Sequence, residues 1–186
     1  MHGVVLLAAG SGKRMGEGIS DKILADIGSS NAFRMCIYAF ANFDDIKSMV
    51  IVFRDQKQKA KLQTELKKVS PLKHDIFISF VKGGKERSDS VNNGLNALPK
   101  SCEFAHIHDC ARPMIHRETI ALLIKNVEQS KATAVARPVT NTIRKKLSNE
   151  AYSRTATPPR IDLWEMETPQ SAPKKWLMEG YAKAEK

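Results

Sequence analysis

Val4-Val5-Leu6-Leu7-Ala8-Ala9-Gly10-Ser11-Gly12-Lys13-Arg14-Met15-Gly16 opens the chain with an apolar run that breaks into glycines and then into cations. The apolar half reads as a buried strand, and the rest as the loop that leaves its end. Gly10 and Gly12 carry no Cβ, so such a loop can turn backbone N–H groups towards an anion. Lys13 and Arg14 add positive charge where phosphate oxygens would sit. The spacing is not the Walker pattern, because only Ser11 separates the two glycines. Nor is it the dinucleotide fingerprint, whose third glycine is missing. Glycines alone would make this a plain strand-to-helix turn. Glycines, cations and a position after the first strand together favour phosphate.

Outward from this strand the chain alternates. Short apolar runs at 4–8, 49–53, 76–81, 104–108 and 132–136 predict strands. Between and after them, helical spacing predicts helices over 32–43, 56–69, 88–98, 118–127 and 174–186. Phe33, Ile37 and Phe40 mark one buried face, and Val91, Leu95 and Leu98 another. Unbroken apolar strands separated by helices imply an α/β fold with a parallel sheet covered on both faces. From Pro138 to Pro159 the character changes. The stretch 138–146 reads as an extended strand leaving the core, and 155–159 would bring the chain back. Such an excursion reads as a segment packed on a second subunit or as a mobile loop. No internal repeat or low-complexity linker is present.

At 186 residues, with 42% hydrophobic and 27% charged side chains, the sequence fits one ordinary globular domain. No apolar run approaches the length of a membrane span. Met1-His2-Gly3 enters the first strand at once, so no secretory signal is expected. Cys36, Cys102 and Cys110 are widely spaced and form no C-x-x-C pattern. They read as reduced thiols of a cytoplasmic protein. A formal charge of +10 points to anionic partners. The lysines at 57, 59, 61, 67 and 68 read as a solvated helix face. No aromatics interleave with them, which argues against a nucleic-acid stacking surface. A phosphorylated small molecule fits better.

In parallel sheets, ligands bind beyond the carboxyl ends of the strands. Four segments fall at such ends: the opening loop, Gly83-Gly84-Lys85-Glu86-Arg87-Ser88-Asp89-Ser90, His108-Asp109-Cys110-Ala111-Arg112-Pro113, and 138–142. In the second, Ser88 or Asp89 can cap a helix. Gly83 and Gly84 can also present backbone to a flat base, with Ser90 or Ser88 adding a hydroxyl. In the third, Asp109 and Arg112 can pair to hold the loop. Alternatively, Asp109 accepts from substrate hydroxyls or approaches a metal while Arg112 orients a sugar phosphate. Lys22 reads as a solvated loop lysine or as a second cation near the phosphate loop, of the kind that transfer at an α-phosphate would use. His106 and His108 read as packing or hydrogen-bonding residues, and Trp164 and Trp176 as core or interface.

These motifs, in this order, resemble the 2-C-methyl-D-erythritol 4-phosphate cytidylyltransferase family. Its marks are Ala8-Ala9-Gly10-x-Gly12-x-Arg14-Met15, Gly83-Gly84-x-x-Arg87-x-x-Ser90-Val91-x-x-Gly94-Leu95 and His108-Asp109-x-Ala111-Arg112-Pro113. Pro138-Val139-x-x-Thr142-Ile143, Leu163-Trp164 and Thr168-Pro169-Gln170 complete them. The resemblance runs from Val4 to about Tyr181. It implies a Rossmann-like nucleotidyltransferase fold: a mostly parallel twisted sheet with helices on both faces and a protruding dimerisation arm at about 139–158. Residues 1–186 would form a single such domain, and the family's C-terminal part, with its Asn-Ile-Lys-Thr-like segment, has no counterpart here.

It also implies that CTP and a polyol phosphate react to give a CDP-alcohol and pyrophosphate, with Mg²⁺ held mainly by the nucleotide phosphates. Arg14 and Lys22 match the catalytic cations. Ala8, Ala9, Gly10, Gly12, Gly84, Lys85, Arg87 and Ser90 match nucleotide-binding positions. Asp109 and Arg112 match substrate contacts. Thr142, Arg160 and Thr168 match arm contacts expected to act across a homodimer. Asp21-Lys22-Ile23 stands where Pro-Lys-Gln is usual, Asn141 where Asp is usual, and Lys85 where Asp is common. The alternatives are a cytidylyltransferase for another polyol phosphate, such as ribitol 5-phosphate, or a non-catalytic nucleotide- or nucleic-acid-binding relative.

Overall fold

The computed structural model describes residues 1–10, 21–69, 72, 75–149 and 154–184. The strands are β1 (His2–Leu7), β2 (Asp26–Ile27), β3 (Ser30–Asn31), β4 (Ile46–Phe53), β5 (Phe77–Lys82), β6 (Phe104–Asp109), β7 (Thr133–Pro138), β8 (Lys145–Lys146), β9 (Thr155–Ala156) and β10 (Trp164–Pro173). The helices are α1 (Ala32–Ala41), α2 (Gln56–Lys67), α3 (Arg87–Ala97), α4 (Arg117–Ser130) and α5 (Lys174–Ala184). The main sheet has the order β5-β4-β1-β6-β10-β7. β5, β4, β1 and β6 run parallel, and β10 is antiparallel to both of its neighbours.

β1 is central because it is apolar on both faces. Val4 and Leu6 pack with Phe33, Ile37 and Phe40 of α1, with Leu62 of α2, and with Ile120 and Ile124 of α4. Val5 faces the other way, onto Val91, Leu95 and Leu98 of the α3 region. Burying each such side chain contributes roughly 1.5–3 kcal/mol. The helices thus cover both faces, as the apolar strand runs predict. Gly94 lets α3 approach: a Cβ there would run into Val5 and lie 3.1 Å from Val52.

Helix starts carry local signals. The Asn31 side chain accepts the Arg34 N–H at 2.9 Å, and Asp55 accepts the Gln58 N–H at 2.8 Å. At α3 the cap differs from the expected Ser88 or Asp89. Glu86 is the N-cap residue, and Asp89, one turn in, accepts the Glu86 N–H at 2.9 Å.

β10 is the main departure from the sequence pattern. Two prolines within Trp164–Pro173 hide it, since proline withholds an N–H from the ladder. The structure accommodates this with a register shift between Met166 and Gln170, and the Thr168–Pro169 peptide is cis. Such a bulge re-aims side chains, and here it turns Thr168 inward.

Between β7 and β10 the chain makes the expected excursion and return. β8 and β9 pair antiparallel, with the Leu147 N–H donated to the Arg154 carbonyl at 3.0 Å. Ile161, Trp164 and Met166 stand exposed at its base. Trp164 and Trp176 are both more than half exposed, so neither belongs to the core of this chain.

His106 and His108 are buried and hydrogen-bonded, as expected. Glu128, His2, His106 and Ser171 form a chain with steps of 3.0, 2.9 and 2.7 Å. Burial, with the neighbouring His2, pushes His106 down to about 3. Cys36, Cys102 and Cys110 are free and buried, and burial pushes the Cys110 thiol well up. Among the described residues, no helix is long and apolar enough to cross a membrane.

Candidate functional site

The direction of the chain changes sides at β1: β4 lies on one side and β6 on the other. The carboxyl ends of β1, β4, β5 and β6 therefore open on one rim, where open α/β sheets hold ligands. A cleft of about 510 Å³ lies there. Its floor and rim come from Ala8, Ala9 and Gly10 after β1, and from Gly84, Lys85, Glu86, Arg87 and Ser90 after β5. Asp109 and Ala111 contribute from the end of β6, and Lys22 and Ile23 from beyond the glycine loop.

Short backbone links hold these loops in register. The Ala8 N–H bonds the Val52 carbonyl at 2.9 Å, the Gly83 N–H the Phe53 carbonyl at 2.8 Å, and the Cys110 N–H the Leu7 carbonyl at 3.1 Å. Ser90 is buried, and its Oγ accepts the Gly84 N–H at 3.1 Å. A Cβ on Gly83 would come within 2.8 Å of that same oxygen and 3.0 Å of the Ala9 Cβ. Gly83 is thus the residue that lets the two loops touch.

The cleft is rich in positive charge. Lys22, Arg54, Lys85 and Arg87 line it, against Glu86 and Asp109. Arg87 crosses from the start of α3 to Asp109, with Nη2 at 3.0 Å and Nε at 3.2 Å from Oδ1. Arg112 Nε approaches the other Asp109 oxygen at 3.8 Å. The bracing pair is therefore present, and Asp109 also lines the cleft.

A second cavity of about 480 Å³ adjoins the first through Ala111. It is lined by Arg112, Thr168, Glu167, His116 and Thr119, among others. The loop between the two cavities is supported from beneath. The Cys36 thiol donates to the Cys110 carbonyl at 3.5 Å and points at the Arg112 carbonyl at 4.0 Å.

Most of the sequence-predicted residues converge. Ala8, Ala9, Gly10, Lys22, Gly84, Lys85, Arg87, Ser90 and Asp109 share the first cleft, and Arg112 and Thr168 line the second. Arg14 and Gly12 lie outside the described residues. Thr142 and Arg160 are exposed at the base of the excursion and line neither cavity, and Arg160 donates to the Thr140 carbonyl. Thr168 is placed in the central sheet rather than on the arm. Arg54 was not singled out by sequence. Its signal was its place directly after β4, on the same rim, without a glycine to mark it.

Comparison with known proteins follows the same lines. The family model for 2-C-methyl-D-erythritol 4-phosphate cytidylyltransferase matches residues 2–186. The chain is 34% identical to the enzyme of that name from Caldanaerobacter subterraneus over 97% of this chain and 77% of that protein. It is 35% identical to the one from Prochlorococcus marinus over 99% and 78%. Among solved structures, 4-diphosphocytidyl-2C-methyl-D-erythritol synthase from Anaerococcus prevotii superposes with a TM-score of 0.80. The identity there is 25%, and the match covers 98% of this chain and 74% of that one.

Proposed function

The chain belongs to the 2-C-methyl-D-erythritol 4-phosphate cytidylyltransferase family, and we propose that the rim cleft is where it performs the family's reaction. The enzyme transfers the cytidylyl group of CTP to 2-C-methyl-D-erythritol 4-phosphate, giving CDP-methylerythritol and pyrophosphate. The observation that carries the siting is the meeting of the Ala8–Gly10 segment, Lys22 and the Gly84–Ser90 segment in one cationic cleft beside Asp109.

The substrate phosphate oxygen attacks the α-phosphorus of CTP, in line with the departing pyrophosphate. One P–O bond forms as the other breaks, so no protein nucleophile is needed. The contribution of the chain is positioning and neutralisation of charge. Lys22 and Arg14 act as the cations on the α-phosphate and the leaving group. The backbone at Ala8, Ala9, Gly10, Gly12 and Gly84 reads and cradles the nucleotide, with Ser90 acting through Gly84. Lys85 and Arg87 border the base and ribose. Asp109 and Arg112 take the polyol phosphate.

Mg²⁺ belongs to this reading as an ion carried by the CTP phosphates, where it offsets their charge. The protein side fits that role. Among the described residues, Asp109 is the aspartate that lines the cleft, and its oxygens already face Arg87 and Arg112.

A homodimer is part of the same proposal. The exposed Ile161, Trp164, Met166 and Leu147 around the excursion supply an apolar surface suited to a second copy. Thr142 and Arg160, which line neither of these two cavities in their own chain, would then serve the partner's site. Three free, buried thiols support a cytoplasmic setting. Side-by-side turnover of methylerythritol phosphate and ribitol 5-phosphate with CTP tests the substrate. Preference for ribitol 5-phosphate would overturn it.

A further inference from the structure

We propose that Gln58 and Arg54 form a clasp across the two ends of the glycine loop, and that this clasp positions Lys22 for the CTP triphosphate. The proposal rests on the reading of the cleft given above.

α2 is a charged helix with only two buried residues, Leu62 and Gln58. Leu62 packs in the core, while Gln58 is 1% exposed and polar. A buried amide must find partners, and Gln58 finds them on both sides of the loop. Its Nε2 donates to the Ala8 carbonyl at 2.9 Å, just before the loop, and to Asp21 Oδ2 at 2.6 Å, just after it. Its Oε1 accepts the Arg54 N–H at 2.7 Å. Because a backbone donor must face the oxygen, the amide orientation is fixed. Its two N–H groups have no other role.

Arg54 repeats the connection from the cleft side. Nη1 donates to the Gly10 carbonyl at 3.1 Å, and Nη2 lies 3.5 Å from Asp21 Oδ2. Nε is held by Asp55 at 2.9 Å, and Asp55 in turn caps α2. Asp21 carries a buried carboxylate, which in the interior requires such partners. The next residue is Lys22. The backbone that presents the lysine to the cleft is thus fixed through Asp21 to the same helix end that fixes Ala8 and Gly10.

Without the clasp, the polar links from α2 to Ala8, Gly10 and Asp21 are lost, and among the described residues the two ends are left to the core packing of Ala8 and Ile23 and to backbone bonds with Val52 and Phe33. The arrangement that sets Lys22 beside the Ala8–Gly10 backbone in the cleft becomes less populated. Apparent CTP affinity then falls in proportion to that population. Gln58 and Asp21 are therefore positioning residues.

The experiment is steady-state kinetics of Gln58→Leu, Asp21→Ala and Asp21→Asn, varying CTP and methylerythritol phosphate in turn. For the first two we expect KM for CTP to rise about tenfold, with KM for methylerythritol phosphate within about twofold. Asp21→Asn retains an oxygen for Gln58 and should stay within about threefold of wild type. The double variant Gln58→Leu/Asp21→Ala should be no worse than its worse parent, because one network is lost once. A structural role alone would lower the active fraction, and hence kcat, leaving both KM values unchanged. That result, or a joint rise of both KM values, overturns the proposal. If Gln58→Leu fails to fold, Asp21→Ala and Arg54→Met decide the matter by the same criterion. Wild-type protein that releases no pyrophosphate from CTP sinks the reading of the cleft itself. Active wild type with an unchanged CTP KM in the variants sinks the clasp alone.

Discussion

Thr168 donates its hydroxyl to His108 Nδ1 at 3.0 Å, and the opposite side of the imidazole fixes that direction. His108 Nε2 lies 3.1 Å from the Arg112 carbonyl, which can only accept, so Nε2 carries the proton and Nδ1 receives one. The same Thr168 oxygen accepts the Asp109 N–H at 3.1 Å. One hydroxyl on β10 therefore ties together both ends of the loop that presents Asp109 and Arg112.

This arrangement makes Thr168→Val informative, since it keeps shape and removes the hydroxyl. It leaves a buried imidazole nitrogen and a backbone N–H unpaired, at a cost of about 1–3 kcal/mol. Urea denaturation should show that loss, and turnover should fall as the loop loosens. Thr168→Ser should restore both. Equal stability of the valine variant would mean that the hydroxyl does not hold the loop.

Lys22 lies in the cleft and is half-buried, and among the described residues no side chain pairs with it. Lys22→Ala should leave the far-UV circular dichroism and the thermal midpoint close to wild type. It should lower kcat on the order of 10²–10³-fold, the typical cost of one well-placed donor on developing charge. Turnover near wild type would remove Lys22 from the catalytic role.

His106 gives a pH signature unrelated to the site. Its folded pKa is about 3, below the ordinary 6.5, because burial and His2 oppose its charge. Between those values the unfolded chain binds the extra proton, so this contribution to stability is complete above pH 6.5 and is lost as pH falls. The slope from one such group reaches about 1 kcal/mol per pH unit. Chemical denaturation at several pH values should show it in wild type. The slope should flatten in His106→Gln, which keeps a donor towards His2. Parallel wild-type and variant profiles would contradict the assignment.

Much of the fold was legible because burial on both faces leaves unbroken apolar runs. β1, β5 and β6 matched to within a residue or two, while β4 began earlier, at Ile46, because Lys47 and Ser48 interrupt the run. β10 was not legible, since Pro169 and Pro173 mask a strand that the register shift makes possible. The glycine-marked loops announced most of the site. Arg54, Asp21 and Gln58 did not announce themselves, because their meaning arises only from contact between residues 8, 21, 54 and 58. Spacing along the chain carries no trace of that contact.

Pyrophosphate release is the most direct measurement. The purified protein is given CTP, UTP, ATP or GTP, each with and without methylerythritol phosphate. Release should require CTP and methylerythritol phosphate together, and it should collapse in Lys22→Ala. Absence of release from that pair, or equal release with the other nucleotides, would contradict the assignment of the rim cleft as a cytidylyl-transfer site.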